Sequence, residues 1–290
     1  MMKQSEIQGK PDKKILFPGC LILYRFPEYE TSAKLVLNQL NVETYTLQKS
    51  ACCGSFLQGK SEEWPYMTAY NLALAEEQHM DIITLCGGCI NVFRRFQHQC
   101  RQDPGLMERV NERLQPLGLV FKNEVKVCHL LEYLHENLDA LAETMQKKIP
   151  LRSAMVNPCQ IFRPGEIMNF DNPDDLQAMR RVAGLAGVEI IPYSQENQCC
   201  GSTVSLADHN LGNIVAHNRL IELEEKQADA MIIACGNCQL MLDRLQKEYH
   251  TGKPIPGIFL PQLIGLAMGF SAQELRIRSP HIRRWLKNVC

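Results

Sequence analysis

At 290 residues the chain has room for two modest domains or one large one. Its 45% hydrophobic and 22% charged content is that of an ordinary soluble globular protein, and a formal net charge of −1 gives no electrostatic footprint for nucleic acid. The polar N-terminus MMKQSEIQGKPDKK lacks the apolar run of a signal peptide, and the most apolar stretch, Ile258 to Phe270, is too short to span a bilayer, so a cytoplasmic location is the default expectation.

Residues 1–13 read as a polar lead. Lys14 to Phe17 is a short apolar strand that ends at Pro18-Gly19-Cys20. Apolar Ala33, Leu35, Val36, Leu37 and Leu40 predict a helix over about Thr31 to Leu40. Val42 to Leu47 alternates as a strand does and runs into Cys52-Cys53-Gly54. A helix follows from Pro65 to Met80, then a buried strand, Asp81 to Leu85, that delivers Cys86-Gly-Gly-Cys89 to a helix from Ile90 to about Gln99.

The second half repeats this order. Ala154 to Val156 leads to Asn157-Pro158-Cys159, and a helix is expected over Pro173 to Ala186. The strand Val188 to Pro192 precedes Cys199-Cys200-Gly201-Ser202, and a long helix covers Asn210 to Gln227. The strand Ala230 to Ala234 delivers Cys235-Gly-Asn-Cys238 to a helix reaching about His250, and the apolar 258–270 stretch reads as a packed helix. Asn71 and Asn218 occupy similar places on the two long helices, and His129-Leu-Leu-Glu132 corresponds to Phe259-Leu-Pro-Gln262. Strands alternating with helices predict an α/β fold of two pseudo-symmetric repeats with largely parallel sheets. The boundary falls in the basic, proline-containing 145–153 segment, which divides the chain into 1–148 and 149–290.

Ten of the thirteen cysteines fall into two sets of five with the same internal order. In the first, 31 residues separate Cys20 from Cys52-Cys53, and 32 more precede Cys86 and Cys89; in the second, 39 separate Cys159 from Cys199-Cys200, and 34 precede Cys235 and Cys238. In a reducing compartment such clusters hold metal or do redox chemistry more often than they form disulfides. Each C-x-x-C sits at a strand-to-helix junction, where backbone N–H groups and the helix dipole favour thiolate. A structural zinc takes four ligands and a cubane four cysteines, so five candidates per half exceed both. Iron–sulfur chemistry is therefore preferred, zinc at one site is the lesser alternative, and a disulfide framework comes last.

On these two complete Cys-Cys-Gly motifs, and on Leu260-Pro-Gln-Leu-Ile-Gly-Leu-Ala-Met-Gly269, the chain resembles the B subunit of heterodisulfide reductase from Lys14 to about Leu275. The first set's second gap is short for that family and the second set's first gap long, but neither removes a ligand. The resemblance implies two noncubane [4Fe–4S] clusters. Cys20, Cys52, Cys53, Cys86 and Cys89 would hold one, and Cys159, Cys199, Cys200, Cys235 and Cys238 the other. It implies that the clusters face each other across a shared cavity in which a small disulfide is reduced, or formed, with one electron from each. It also implies a C-type cubane iron–sulfur partner and, further along, an A-type flavin subunit; the chain carries neither a G-x-G-x-x-G fingerprint nor a ferredoxin C-x2-C-x2-C run of its own. The competing reading is an electron-transfer subunit of another redox complex (sulfur oxidation, benzoyl-CoA reduction or a quinone-linked dehydrogenase) with no disulfide substrate.

Outside the motifs, Cys128 reads as a small core residue, Cys100 as a residue following a helix, and Cys290 as a free terminal thiol. His129 is a candidate proton donor at a helix start, set against a purely structural role. Arg25 and Arg163 follow the lone cysteines at similar distances. They are candidates to offset cluster charge or meet an anionic substrate, set against simple surface ion pairs.

Overall fold

A computed structural model describes residues 10–289. Eight strands form two four-stranded, all-parallel sheets: β1 (Asp12–Phe17), β2 (Val42–Thr46), β3 (Asp81–Thr84) and β4 (Val127–His129) in the order β2-β1-β3-β4, and β5 (Arg152–Val156), β6 (Glu189–Ile191), β7 (Ala230–Ile233) and β8 (Gly257–Phe259) in the order β6-β5-β7-β8. The two orders are identical under the repeat. The central strands are continuous apolar runs, such as Ile15-Leu16-Phe17 and Met231-Ile232-Ile233, because helices cover them. The edge strand β2, Val-Glu-Thr-Tyr-Thr, carries the polar residues.

In each sheet the chain leaves the first strand toward one side and returns on the other. This reversal lies between β1 and β3, and again between β5 and β7, and it opens a crevice at the strands' carboxyl ends. Cys20 follows β1 and Cys86 follows β3. Cys159 and Cys235 hold the same places in the second sheet.

The halves interlock. The helix Pro27–Gln39 of the first packs on Leu260–Ala267 of the second, and Leu130–Glu136 of the first packs on Ala178–Leu185 of the second. These are equivalent pairs under the repeat. One hydrophobic cluster consequently runs from Ile15 to Leu286 through both halves. At its centre Phe259 stacks on Tyr29 at 4.3 Å and meets Phe26 edge-on at 5.6 Å. The His129–Glu132 and Phe259–Gln262 correspondence holds: His129 pairs with Thr84, Phe259 with Ile233, and the Glu132 and Gln262 side chains accept from the His129 and Phe259 N–H groups.

Several expectations needed correction. Asp12 and Lys13, assigned to the lead, already belong to β1; residues 1–9 lie outside the described residues. A short helix, Cys20–Arg25, went unforeseen, and the next starts at Pro27, whose fixed φ suits a first helical position. The helix expected from Ile90 starts at Gly87, since two low-propensity glycines hid its first turn. The helix expected from Pro173 is confined to Ala178–Leu185, because the Asp171 carboxylate accepts from the Gln177 and Ala178 N–H groups and caps it there. Beyond Cys238 the helix breaks into Gly236–Gln239, a π turn at Leu240–Arg244, and Gln246–Tyr249. The 258–270 stretch begins with β8 before its helix. Among the described residues no helix is long and apolar enough to cross a membrane.

Replacing Phe259, 1% exposed and in contact with aromatic rings of the first half, by alanine should cost about 3–5 kcal/mol in urea unfolding. A loss below about 1 kcal/mol would show that the two halves do not depend on this contact.

Candidate metal centre

Six segments, three per half, carry the ten thiols to the two crevices. Gly19 has φ +78°, and a Cβ there would lie 2.8 Å from Cys89 Sγ, so only glycine lets Cys20 turn in beside the C-x-x-C. Gly54 and Gly201, after the paired cysteines, take φ +88° and +92°, the tight turn expected of them. Burial repeats as well. In each set the lone cysteine and the first of the adjacent pair are half-buried, while the other three are buried.

The thiols interact in the same linked order twice. Cys20 meets Cys52, which meets Cys53, then Cys89, then Cys86. Cys159 meets Cys199, which meets Cys200, then Cys238, then Cys235. Hydrogen bonds from neighbouring thiols hold Cys53 and Cys199 below the ordinary thiol value. Their donors, Cys52 and Cys89 to the one and Cys159 and Cys200 to the other, are pushed up, as is Cys238, which donates to Cys200 and Cys235. Cys235 is drawn down to about 6, by the Cys238 thiol first and with help from the Gly87 N–H of the other half. Among the described residues all twelve cysteines are free, and no group of three or more His, Cys, Asp or Glu side chains is set around one point for a single metal ion. Cys290 lies outside the described residues.

The loops that carry the paired cysteines are tied from below. Asn71 accepts from the Ala51 N–H at 2.9 Å and donates to the Cys52 carbonyl at 3.2 Å; Thr68 donates to the Cys53 carbonyl at 2.8 Å. The second-half counterpart of Asn71 is not Asn218, which is exposed, but its neighbour Arg219. Fully buried, Arg219 donates to the carbonyls of Gln195, Gln198 and Cys199 at 2.7, 2.8 and 3.3 Å. Matching identical residues between the repeats concealed it; a buried role for arginine follows only from the carbonyls it faces.

A groove of about 540 Å³ opens over the first set, lined by Cys20, Cys53, Cys86 and Cys89 and, from the other half, by Gln160 and Ser202. A second opening of about 430 Å³ reaches Cys159 and is lined by Arg95 and Arg163. Gln58 and Gln160 line both. Arg163 also donates to the Asn197 and Pro173 carbonyls at 3.4 Å, whereas Arg25 is exposed at a helix end and lines neither opening. His129 is fully buried and lines neither; its Nδ1 accepts from the Leu131 N–H at 3.1 Å as a helix cap. Burial pushes its pKa down to about 3 and keeps the ring neutral. Cys128 is half-buried against the main core, and Cys100 is buried within the Gly87–Gln102 helix rather than after it.

A family model described as a cysteine-rich domain, CCG, matches residues 15–94 and 153–243, more than half of the chain. The chain is 26% identical over 282 residues to the B subunit of the Ferredoxin/F(420)H(2)-dependent CoB-CoM heterodisulfide reductase of Methanosarcina acetivorans, covering 93% of this chain and 94% of that one. It is 24% identical over 268 residues to the 8-methylmenaquinol:fumarate reductase membrane anchor subunit of Wolinella succinogenes, covering 89% and 93%. A solved structure, a hypothetical protein from Helicobacter pylori, superposes with a TM-score of 0.74 at 18% identity. The match takes in 93% of this chain but 52% of that one, and it shows the fold alone.

The depressed His129 value sets a pH dependence. The unfolded ring, with its ordinary value near 6.5, takes up a proton that the native ring refuses down to about pH 3. Its contribution to stability is complete above about pH 6.5 and is lost as pH falls toward 3. Urea midpoints should fall from pH 7 to 5 in the wild type and fall less in His129→Asn, which can still cap the helix. Equal slopes would refute the assignment.

Proposed function

The chain belongs to the cysteine-rich CCG family, and we propose that it is an iron–sulfur subunit of a heterodisulfide-reductase-like redox complex, working in a reducing compartment such as the cytoplasm. The observation that carries this reading is the doubled chain of five interacting thiols at two sheet crevices. Family membership and the nearly full-length likeness to the B subunit of a heterodisulfide reductase support it.

The donor set fits the implied group. Five free thiols in a linked order suit a centre extended over several irons better than one zinc with four ligands around a point. In this reading Cys20, Cys52, Cys53, Cys86 and Cys89 hold one noncubane [4Fe–4S] cluster, and Cys159, Cys199, Cys200, Cys235 and Cys238 the other. The two cluster-binding repeats are 1–148 and 149–290. When bound, the pair of clusters supplies two electrons that, with two protons, convert a disulfide to two thiols, or the reverse.

The chain's own residues do the rest. Gly19, Gly54 and Gly201 let the thiols converge. Asn71, Thr68 and Arg219 hold the loops that carry them. The groove, lined with Ser55, Ser202 and Gln160 beside Phe56, Leu206 and Met241, offers a half-apolar bed for a small disulfide or thiol. Lys60 is the charged side chain on its wall. His129, neutral and away from both openings, is not assigned the proton. Electrons arrive from or leave to a C-type cubane partner and, further along, an A-type flavin subunit.

A second reading, an electron-transfer subunit without a disulfide substrate, is favoured by the likeness to a fumarate reductase subunit. Anaerobic iron and acid-labile sulfide analysis, with EPR, separates the two. Roughly eight irons per chain are expected, falling to about four in Cys53→Ser or Cys200→Ser. An EPR signal that changes on addition of thiol and oxidant supports the disulfide site. Eight irons with no thiol response leave the electron-transfer reading, and zinc alone overturns both.

A further inference from the structure

The two thiol sets are alike in order but not in who holds them. Around the first set, among the described residues, the side-chain bonds to the cysteine-bearing loops come from the first half: Asn71, Thr68, Tyr70 to the Lys49 carbonyl at 3.0 Å, and the Thr84 hydroxyl accepting from the Cys86 N–H at 3.3 Å; the helix that carries Cys89 also reaches the second half, through its Asn91 and Arg94 side chains. The second set has Arg219 from its own half, but two further ties cross over from the first. The Tyr29 hydroxyl donates to the carbonyl of Ala234, the residue before Cys235, at 3.1 Å. The Asn91 amide donates to the carbonyls of Gln160, the residue after Cys159, and of Arg163, at 3.0 and 2.8 Å.

These carbonyls need an outside donor. Sheet pairing of β7 ends at Ile233, so the fully buried Ala234 carbonyl has run out of ladder partners. Gln160 lies in, and Arg163 caps, a four-residue helix, Cys159–Phe162, too short to satisfy its own last carbonyls. Around Cys235 the first half contributes again: a Cβ on Gly87 would lie 3.5 Å from Cys235 Sγ. The reverse contact is apolar, since Gly236 faces Ile22 and Leu21.

We infer that Tyr29 and Asn91 are positioning residues through which the first half shapes the second thiol set; among the described residues no second-half donor reaches a backbone carbonyl of a first-set cysteine segment in the same way. The inference deepens the proposed function, because it names residues outside the second half that complete its site; it concerns the thiols themselves and holds whether or not a cluster is bound.

The test uses the full-length protein without metal. Each cysteine's rate of alkylation by iodoacetamide is followed by peptide mass spectrometry in the wild type, Tyr29→Phe and Asn91→Ala. Losing one such hydrogen bond should make local opening roughly five- to tenfold more frequent. Tyr29→Phe should speed Cys235 and Cys238, and Asn91→Ala should speed Cys159, by that factor, while Cys20, Cys52, Cys53, Cys86 and Cys89 keep their rates. Asn71→Ala, whose bonds stay within the first half, should speed Cys52 and Cys53 alone. Equal acceleration of both sets, the mark of general destabilisation, or no acceleration, would overturn the inference. Iron analysis of the same variants after anaerobic reconstitution reports separately on the proposed function: loss of half the iron agrees with both, while a wild type that takes up no iron sinks the functional reading and leaves the alkylation result standing.

Discussion

At the carboxyl end of a parallel strand the hydrogen-bond ladder stops, and whatever the chain does next must find new partners for its backbone. This constraint governs both crevices. The chain meets it with glycines that take positive φ, with helix starts that leave N–H groups pointing into the crevice, and with buried side chains that reach the stranded carbonyls. The same unpaired N–H groups that make a strand end costly make it a good place for sulfur anions. The site and the sheet edge are thus one problem with one solution.

The interlocking of the halves follows from the need to bury both faces of each sheet. A four-stranded parallel sheet must be covered on both faces, and in each half part of that cover is supplied by the other. Each half is packed by the helix that follows the other's last strand: Leu260–Ala267 lies on Pro27–Gln39, and Leu130–Glu136 on Ala178–Leu185. This packing brings the two crevices together. Gln160 reaches the groove over the first set, and Gly87 touches Cys235, only because the sheets are docked in this way.

Much of this was legible in the sequence. The five-cysteine order, repeated in the same sequence, singled out the ten thiols that the fold gathers into two groups, and apolar runs ending at glycine and cysteine located the central strands. Three-residue strands such as β4 and β8 carry too few positions to show a period, and the Gly87–Gly88 helix start is masked by its own composition. Arg219 escaped because its role depends on which carbonyls lie beneath it. Tyr29 and Asn91 escaped because their partners are distant in sequence, 205 residues from Tyr29 to Ala234 and 69 from Asn91 to Gln160. Such contacts exist only once the halves dock, and no local pattern encodes them.

Duplication gave the two sets the same donors but not the same surroundings. Cys89 lies in the first turn of a 16-residue helix, Gly87–Gln102, whose aligned peptides present a full dipole to the first crevice. Cys238 lies in a four-residue helix that passes into a π turn at Leu240–Arg244, so the run of α-helical peptides behind it is shorter. The second set makes up part of the difference from outside, through the Gly87 N–H at Cys235 and the Tyr29 hydroxyl at Ala234. Two thiol sets with the same cysteines and unequal fields are not electrically interchangeable, because donors and dipoles around a thiolate act on how readily it carries charge. The asymmetry is written into the lengths of two helices rather than into the cysteines, and a count of cysteines alone would miss it.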